Sequence, residues 1–171
     1  MTEPKIIKPD QKTSDDTKAG NYFIANYPPF SFWNDKDIPC VDSLLNSPSP
    51  GTAPLGLYYH IPFCRKRCHF CYFRVYTDKN SSDVRRYLDA TMQELVRYAA
   101  SNYIAGRKPK FVYFGGGTPS YLSAQQLTEL TDRMKDILPW DEAEEVTFEC
   151  EPGTLTEKKV RAIRDLSLIH I

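Results

Sequence analysis

Apolar positions recur along the chain with two different periods, and their alternation predicts the architecture. "LGLYYHI" (Leu55 to Ile61) is a short apolar and aromatic run of the kind a buried strand uses. Ser82 or Asp83 is expected to cap a helix in which Val84, Leu88, Met92, Leu95 and Ala99 recur at helical spacing, ending at Gly106. "KFVYF" (Lys110 to Phe114) reads as a second strand, broken by "GGGTPS". Ser123 and Gln126 form a capping box for the next helix, whose Leu127, Leu130, Met134 and Ile137 make one stripe that stops at Pro139. "EVTFEC" (Glu145 to Cys150) alternates as a third strand, followed by the turn "EPGT" and a helix carrying Val160, Ile163 and Leu166. Strand and helix thus alternate three times between Leu55 and Asp165. That order predicts an α/β fold of βαβ units around a parallel sheet.

The flanks follow neither period. Residues 1–20 are polar and charged, which predicts a disordered tail. Residues 21–54, rich in aromatics and proline ("NYFIANYPPFSFW", "NSPSP"), suit an irregular arm better than a helix or central strand. The final "LSLIHI" starts after "RDL" with no Gly or Asn cap between helix and strand. It also matches, letter for letter, one translated frame of the transposon mosaic end used in making sequencing libraries. Residues 166–171 are therefore expected to be a non-native scar, with 55–165 the N-terminal part of a core domain that is truncated at its C-terminal side.

Composition narrows the function classes. With 22 basic and 22 acidic residues the formal charge is zero, so no bulk attraction to nucleic acid or anionic membrane is expected. Apolar runs fall far short of the ~20 residues that span a bilayer, and "MTEPKIIKPDQKTSDD" lacks the apolar core of a signal peptide. A cytoplasmic protein is expected. Its five cysteines, an odd number in a reducing compartment, favour metal or redox chemistry over a disulfide framework.

In parallel sheets the chemistry sits at the carboxyl ends of the strands. The unusual stretches fall there: a cysteine loop after the first strand, glycines after the second, Glu149 at the end of the third. Cys64, Cys68 and Cys71 lie within reach of one point, and thiolates are soft ligands that suit iron–sulfur clusters and zinc. Structural zinc wants a fourth ligand. His69 is adjacent to Cys68 and poorly placed, His60 lies on the preceding strand, and Cys40 or Cys150 would need a long reach. A zinc-stabilised binding module is the alternative on these grounds. Three thiolates on a cubic cluster of four irons leave one iron open to a small molecule. Cys40 and Cys150, away from ligand spacing, read as structural thiols.

"CRKRCHFC" resembles the CxxxCxxC signature of the radical S-adenosylmethionine (SAM) enzymes. Together, "LYYHIPFCRKRCHFC", "YFGGGTPS" and "FECEPGTL" resemble the branch containing oxygen-independent coproporphyrinogen III oxidase, haem chaperones and anaerobic haem-degrading enzymes. The resemblance implies the first three units of a partial (βα)6 TIM-like barrel. It implies a [4Fe–4S] cluster on Cys64, Cys68 and Cys71, and reductive cleavage of SAM to methionine and a 5'-deoxyadenosyl radical. It also implies a tetrapyrrole substrate and an electron donor such as flavodoxin or ferredoxin. By position, Phe70 matches the residue against the adenine, and Tyr58 a tyrosine facing the cluster; Tyr59 points to the opposite strand face. Gly115, Gly116, Gly117 and Thr118 match the strand end that approaches the methionine part, and Glu149 an acidic residue near the cofactor. Authentic anaerobic oxidases of the branch carry a further cysteine two positions after the third; here that position is Phe73.

Overall fold

The computed structural model describes residues 34–49, 51–71 and 73–170. The expected tail and the first part of the arm lie outside them. The chain divides into two compact units, Met1–Cys40 and Val41–Ile171. The arm holds a regular element where an irregular one was expected: Asn34 caps a 3-10 turn at Asp35–Asp37, and helix α1 (Ile38–Asn46) follows. Pro39 falls in the first turn, where a missing N–H costs nothing, and the prolines of the quoted stretches lie outside the helix. Cys40, read as a structural thiol, is exposed.

From Leu55 onward strand and helix alternate as the periodicity implied. β1 (Leu55–Ile61), α2 (Ser81–Ala100), β2 (Pro109–Gly116), α3 (Ala124–Ile137), β3 (Glu145–Phe148), α4 (Glu157–Asp165) and β4 (Ile169–His170) succeed one another. The sheet order is β1-β2-β3-β4 and every pairing is parallel. β4 falls inside the segment expected to be a scar, and Leu168 before it is buried in the core.

Local chemistry moves two boundaries. The cap of α2 is Asn80, not Ser82 or Asp83. Its side chain accepts from the amides of Ser82 and Asp83, while the Asp83 carboxylate accepts from the Asn80 amide. The helix ends at Ala100 rather than at Gly106, because Ser101 leaves helical geometry; Gly106, at φ +76°, closes the turns beyond. α3 carries the expected Ser123–Gln126 box.

The strand register explains the core. Tyr59, Phe114 and Phe148 lie side by side, with Ile61 and Val112 on the same face, and all five are buried. Val84, Leu88 and Met92 of α2, Leu127, Leu130 and Met134 of α3, and Ile163 of α4 close over that face. Phe114 is its centre, with ring centroids 5.8 Å from Tyr59, 5.7 Å from Phe148 and 6.5 Å from Trp140. Val160, expected on the inward stripe of α4, is 45% exposed. Because the strand order is sequential, each crossover continues in the same direction and the helices share one face, as in a barrel wall. The opposite face presents Tyr58, His60, Phe111 and Tyr113.

Candidate cofactor site at the carboxyl edge of the sheet

Parallel pairing brings the carboxyl ends of β1, β2 and β3 to one edge, and the backbone ties them together there. The Gly117 amide donates to the Ile61 carbonyl at 2.7 Å, and the Glu149 amide to the Phe114 carbonyl at 3.1 Å. The cysteine loop leaves β1 along this edge. Cys64 is pinned at its base: its amide donates to the Tyr76 carbonyl at 3.0 Å, and its thiol is buried.

The glycines are what let the loop sit so close. A Cβ on Gly117 would stand 2.9 Å from the Cys64 Sγ and from the Ile61 carbonyl oxygen, and 3.0 Å from that of Phe63. Gly116 has φ +111°, and a Cβ there would meet the His60 ring at 2.7 Å. Thr118, next in line, donates its hydroxyl to the Cys64 Sγ at 3.3 Å. Burial pushes the Cys64 thiol up from its ordinary value; the Thr118 hydroxyl opposes this, and the nearby Cys71 and Cys68 add to it. Cys68 is exposed and Cys71 half-buried. Among the described residues no three Cys, His, Asp or Glu side chains stand gathered at metal-binding distance.

A second cluster lies beside the loop on the uncovered sheet face. The Tyr113 hydroxyl donates to Glu149 Oε1 at 2.6 Å, so the carboxylate is held rather than left solvated at the strand end. That bond, with burial, pushes the Tyr113 phenol up to about 12. Tyr58 stacks on Tyr113 at 6.0 Å, and its hydroxyl shares a 3.0 Å hydrogen bond with His60 Nδ1. Burial raises the Tyr58 phenol, helped by the Glu149 charge, and lowers the His60 imidazole, which Glu149 opposes. The strand parity placed Tyr58 and Tyr59 on opposite faces, and they are: Tyr59 is in the core and Tyr58 is 53% exposed beside the loop. Gly115 gives the two rings room, since a Cβ there would stand 2.6 Å from Tyr113 and 3.1 Å from Tyr58.

The structure thus brings Tyr58, Cys64, Gly115, Gly116, Gly117, Thr118 and Glu149 to one edge. Phe70 stands on the cysteine loop, 78% exposed, and makes no ring contact with the cluster among the described residues. Tyr113 and His60 were missed as members of the site. Each sits two places along its strand from the position read for the site or the core, and simple alternation explained both.

A parallel sheet with helices on one face and a cysteine loop at its carboxyl edge defines an α/β domain whose candidate site lies at the strand ends. The chain belongs to the radical SAM superfamily, whose family model matches residues 58–171. It is 32% identical over 113 residues to an anaerobic coproporphyrinogen III oxidase of Cereibacter sphaeroides, covering 66% of this chain and 25% of that protein. A haem chaperone of Escherichia coli is 36% identical over 102 residues, covering 60% of this chain and 26% of the other. The solved coproporphyrinogen III oxidase of Escherichia coli, described as a radical SAM enzyme, superposes with a TM-score of 0.64 at 28% identity. It covers 80% of this chain and 30% of its own. The chain therefore spans about a quarter of the length of these curated relatives.

The superfamily implies an iron–sulfur cluster, and the donor set fits one in kind. The thiols share one loop, Cys64 is anchored at its base, and the absence of side chains at Gly116 and Gly117 lets the loop pack directly on the strand end. The His60 ring, on the preceding strand, is engaged with Tyr58 and packs on Phe73 at 6.0 Å.

Proposed function

We propose that this domain binds a [4Fe–4S] cluster through Cys64, Cys68 and Cys71 and cleaves SAM reductively, serving a reaction on a tetrapyrrole. When bound, the cluster supplies the electron that breaks the cofactor's sulfonium bond and yields a 5'-deoxyadenosyl radical. The chain's own residues bind and orient. The observation that carries the reading is the Gly117–Cys64–Thr118 contact, which sets a thiol loop against a side-chain-free strand end. Gly115 to Gly117 offer backbone polar groups to the methionine part. Glu149, steadied by Tyr113, presents a carboxylate to the ribose hydroxyls or the ammonium group. Phe70 lies exposed on the loop, available to cover an adenine. Tyr58 faces the cluster side and limits water there.

Tetrapyrrole chemistry is inferred from the relatives, and they divide. Phe73, where authentic oxidases carry a further cysteine, favours a second reading: a haem chaperone that keeps the cluster without oxidase turnover. The test is anaerobic incubation of the reconstituted protein, in a version extended to the length of its relatives, with reductant and SAM. Release of 5'-deoxyadenosine that disappears with any of the Cys64→Ala, Cys68→Ala or Cys71→Ala variants is expected. Haem binding with no deoxyadenosine release would support the chaperone. Conversion of coproporphyrinogen III to protoporphyrinogen IX would overturn the weight given to Phe73.

A further inference from the structure

The segments that leave the carboxyl edge are tied together by a polar knot behind the candidate site. Ser120 stands in the turn after the glycines, two residues past Thr118, and is buried. Its hydroxyl accepts from the Glu151 amide at 2.9 Å and meets Thr154 Oγ1 at 2.6 Å. Thr154, also buried, donates its own hydroxyl to the Glu151 carbonyl at 2.8 Å, so the proton between the two hydroxyls belongs to Ser120. Both backbone groups of Glu151 are thereby taken up, two residues past Glu149. Arg65, next to Cys64, donates to the Gly153 carbonyl at 3.0 Å and joins the cysteine loop to the same turn.

Lys159 closes the knot from the first turn of α4, where Thr156 accepts from its amide at 3.4 Å. Its ammonium donates to the Ser120 carbonyl at 2.7 Å and to the Thr154 carbonyl at 3.0 Å. Burial pushes the Lys159 ammonium down from its ordinary value, Arg65 adds to this and Cys150 opposes it, so the charge is held there at a cost. Charge-assisted bonds are the strong ones, and these two span the gap between the glycine turn and the β3 exit. We infer that Lys159 is a positioning residue for the cofactor edge: by bridging the Ser120 and Thr154 carbonyls it sets the glycine turn against the β3 exit, and so the place from which Glu149 presents its carboxylate. The inference rests on the cofactor reading above and adds to it a residue that touches neither cluster nor SAM. On the β2 side Glu149 is held by the Tyr113 hydroxyl and by the Phe114 carbonyl, which accepts from its amide. Lys159 fixes the chain on the other side of it, where the strand has ended.

The experiment measures SAM binding to the cluster-loaded chain by calorimetry for the parent, Lys159→Met, Glu149→Gln and the double variant. Iron and sulfide per chain and backbone amide exchange are measured alongside. Lys159→Met keeps a long side chain and deletes its charge and donors. It is expected to hold the parent iron and sulfide and to bind SAM roughly tenfold more weakly, the scale of one hydrogen bond from a charged group. The double variant is expected to bind no more weakly than Glu149→Gln alone, because a residue that acts through another is silent once that other is gone. Losses that add in the double variant would show a merely structural role and overturn the inference, as would unchanged SAM affinity or iron lost from Lys159→Met. If that variant does not fold, Ser120→Ala, which removes only the hydroxyl that holds Glu151, takes its place in the same cycle. A parent that takes up no iron, or iron but no SAM, sinks the cofactor reading itself. Amide exchange then decides the positioning alone: faster exchange at Glu149 and Glu151 in Lys159→Met supports it, and unchanged exchange overturns it.

Discussion

Tyr113 shows at the residue scale how one hydroxyl organises the cofactor edge. It is the group that holds Glu149, and its ring supports Tyr58. Tyr113→Phe keeps the ring and deletes the bond, so SAM affinity of the cluster-loaded protein should fall roughly tenfold, the scale of one hydrogen bond to a charged group. The thermal midpoint should barely move; a large drop in stability with unchanged affinity would assign Tyr113 to packing alone. His60 gives a pH signature. Burial holds its imidazole below the ordinary 6.5, so the folded state takes up that proton at lower pH than the unfolded chain. Its contribution to stability is present above about pH 6.5 and is lost as pH falls through the folded value. Melts of the parent and His60→Gln on either side of that pH should converge at the acid end, and parallel curves would contradict the assignment. The cysteines, glycines and Glu149 were legible because their types and spacing are unusual. Tyr113 and His60 were not, because a tyrosine or histidine on a strand fits ordinary alternation, and only the register reveals its neighbours.

Among elements, α2 and the strand-to-loop joints decide how firmly the edge is held. Asn80→Ala removes acceptors for the Ser82 and Asp83 amides and should cost about 1 kcal/mol in denaturant unfolding, whereas Ser82→Ala should cost much less. Gly117→Ala is the sharper test: its Cβ would press on the Cys64 Sγ and on backbone oxygens that cannot swing aside. It should destabilise by about 1–3 kcal/mol and reduce cluster loading, and full iron content in this variant would show that the loop does not depend on the close approach. Element order and the inward positions of α3 were readable from period alone, and Leu127, Leu130 and Met134 are buried as the stripe implied. The α2 cap was misread because Asn80, Ser81, Ser82 and Asp83 are all cap-type residues, and only the geometry chooses among them. α1 was missed because its proline sits where a helix tolerates one, which composition does not register.

For the whole molecule, sequential parallel strands with helices on one face leave the other face open, with Tyr58 53% and Phe111 48% exposed. That arrangement was legible as βαβ order. Its sidedness comes from strand sequence and crossover hand, which no single motif encodes. We propose that this edge holds a metal cluster on three thiols. Iron and acid-labile sulfide per chain, measured after anaerobic reconstitution, test it most directly. The parent and Cys150→Ala should each carry about four irons and four sulfides, while Cys64→Ala, Cys68→Ala and Cys71→Ala should carry almost none. Iron retained in Cys68→Ala at the parent level, or a parent that takes zinc in place of iron and sulfide, would contradict it.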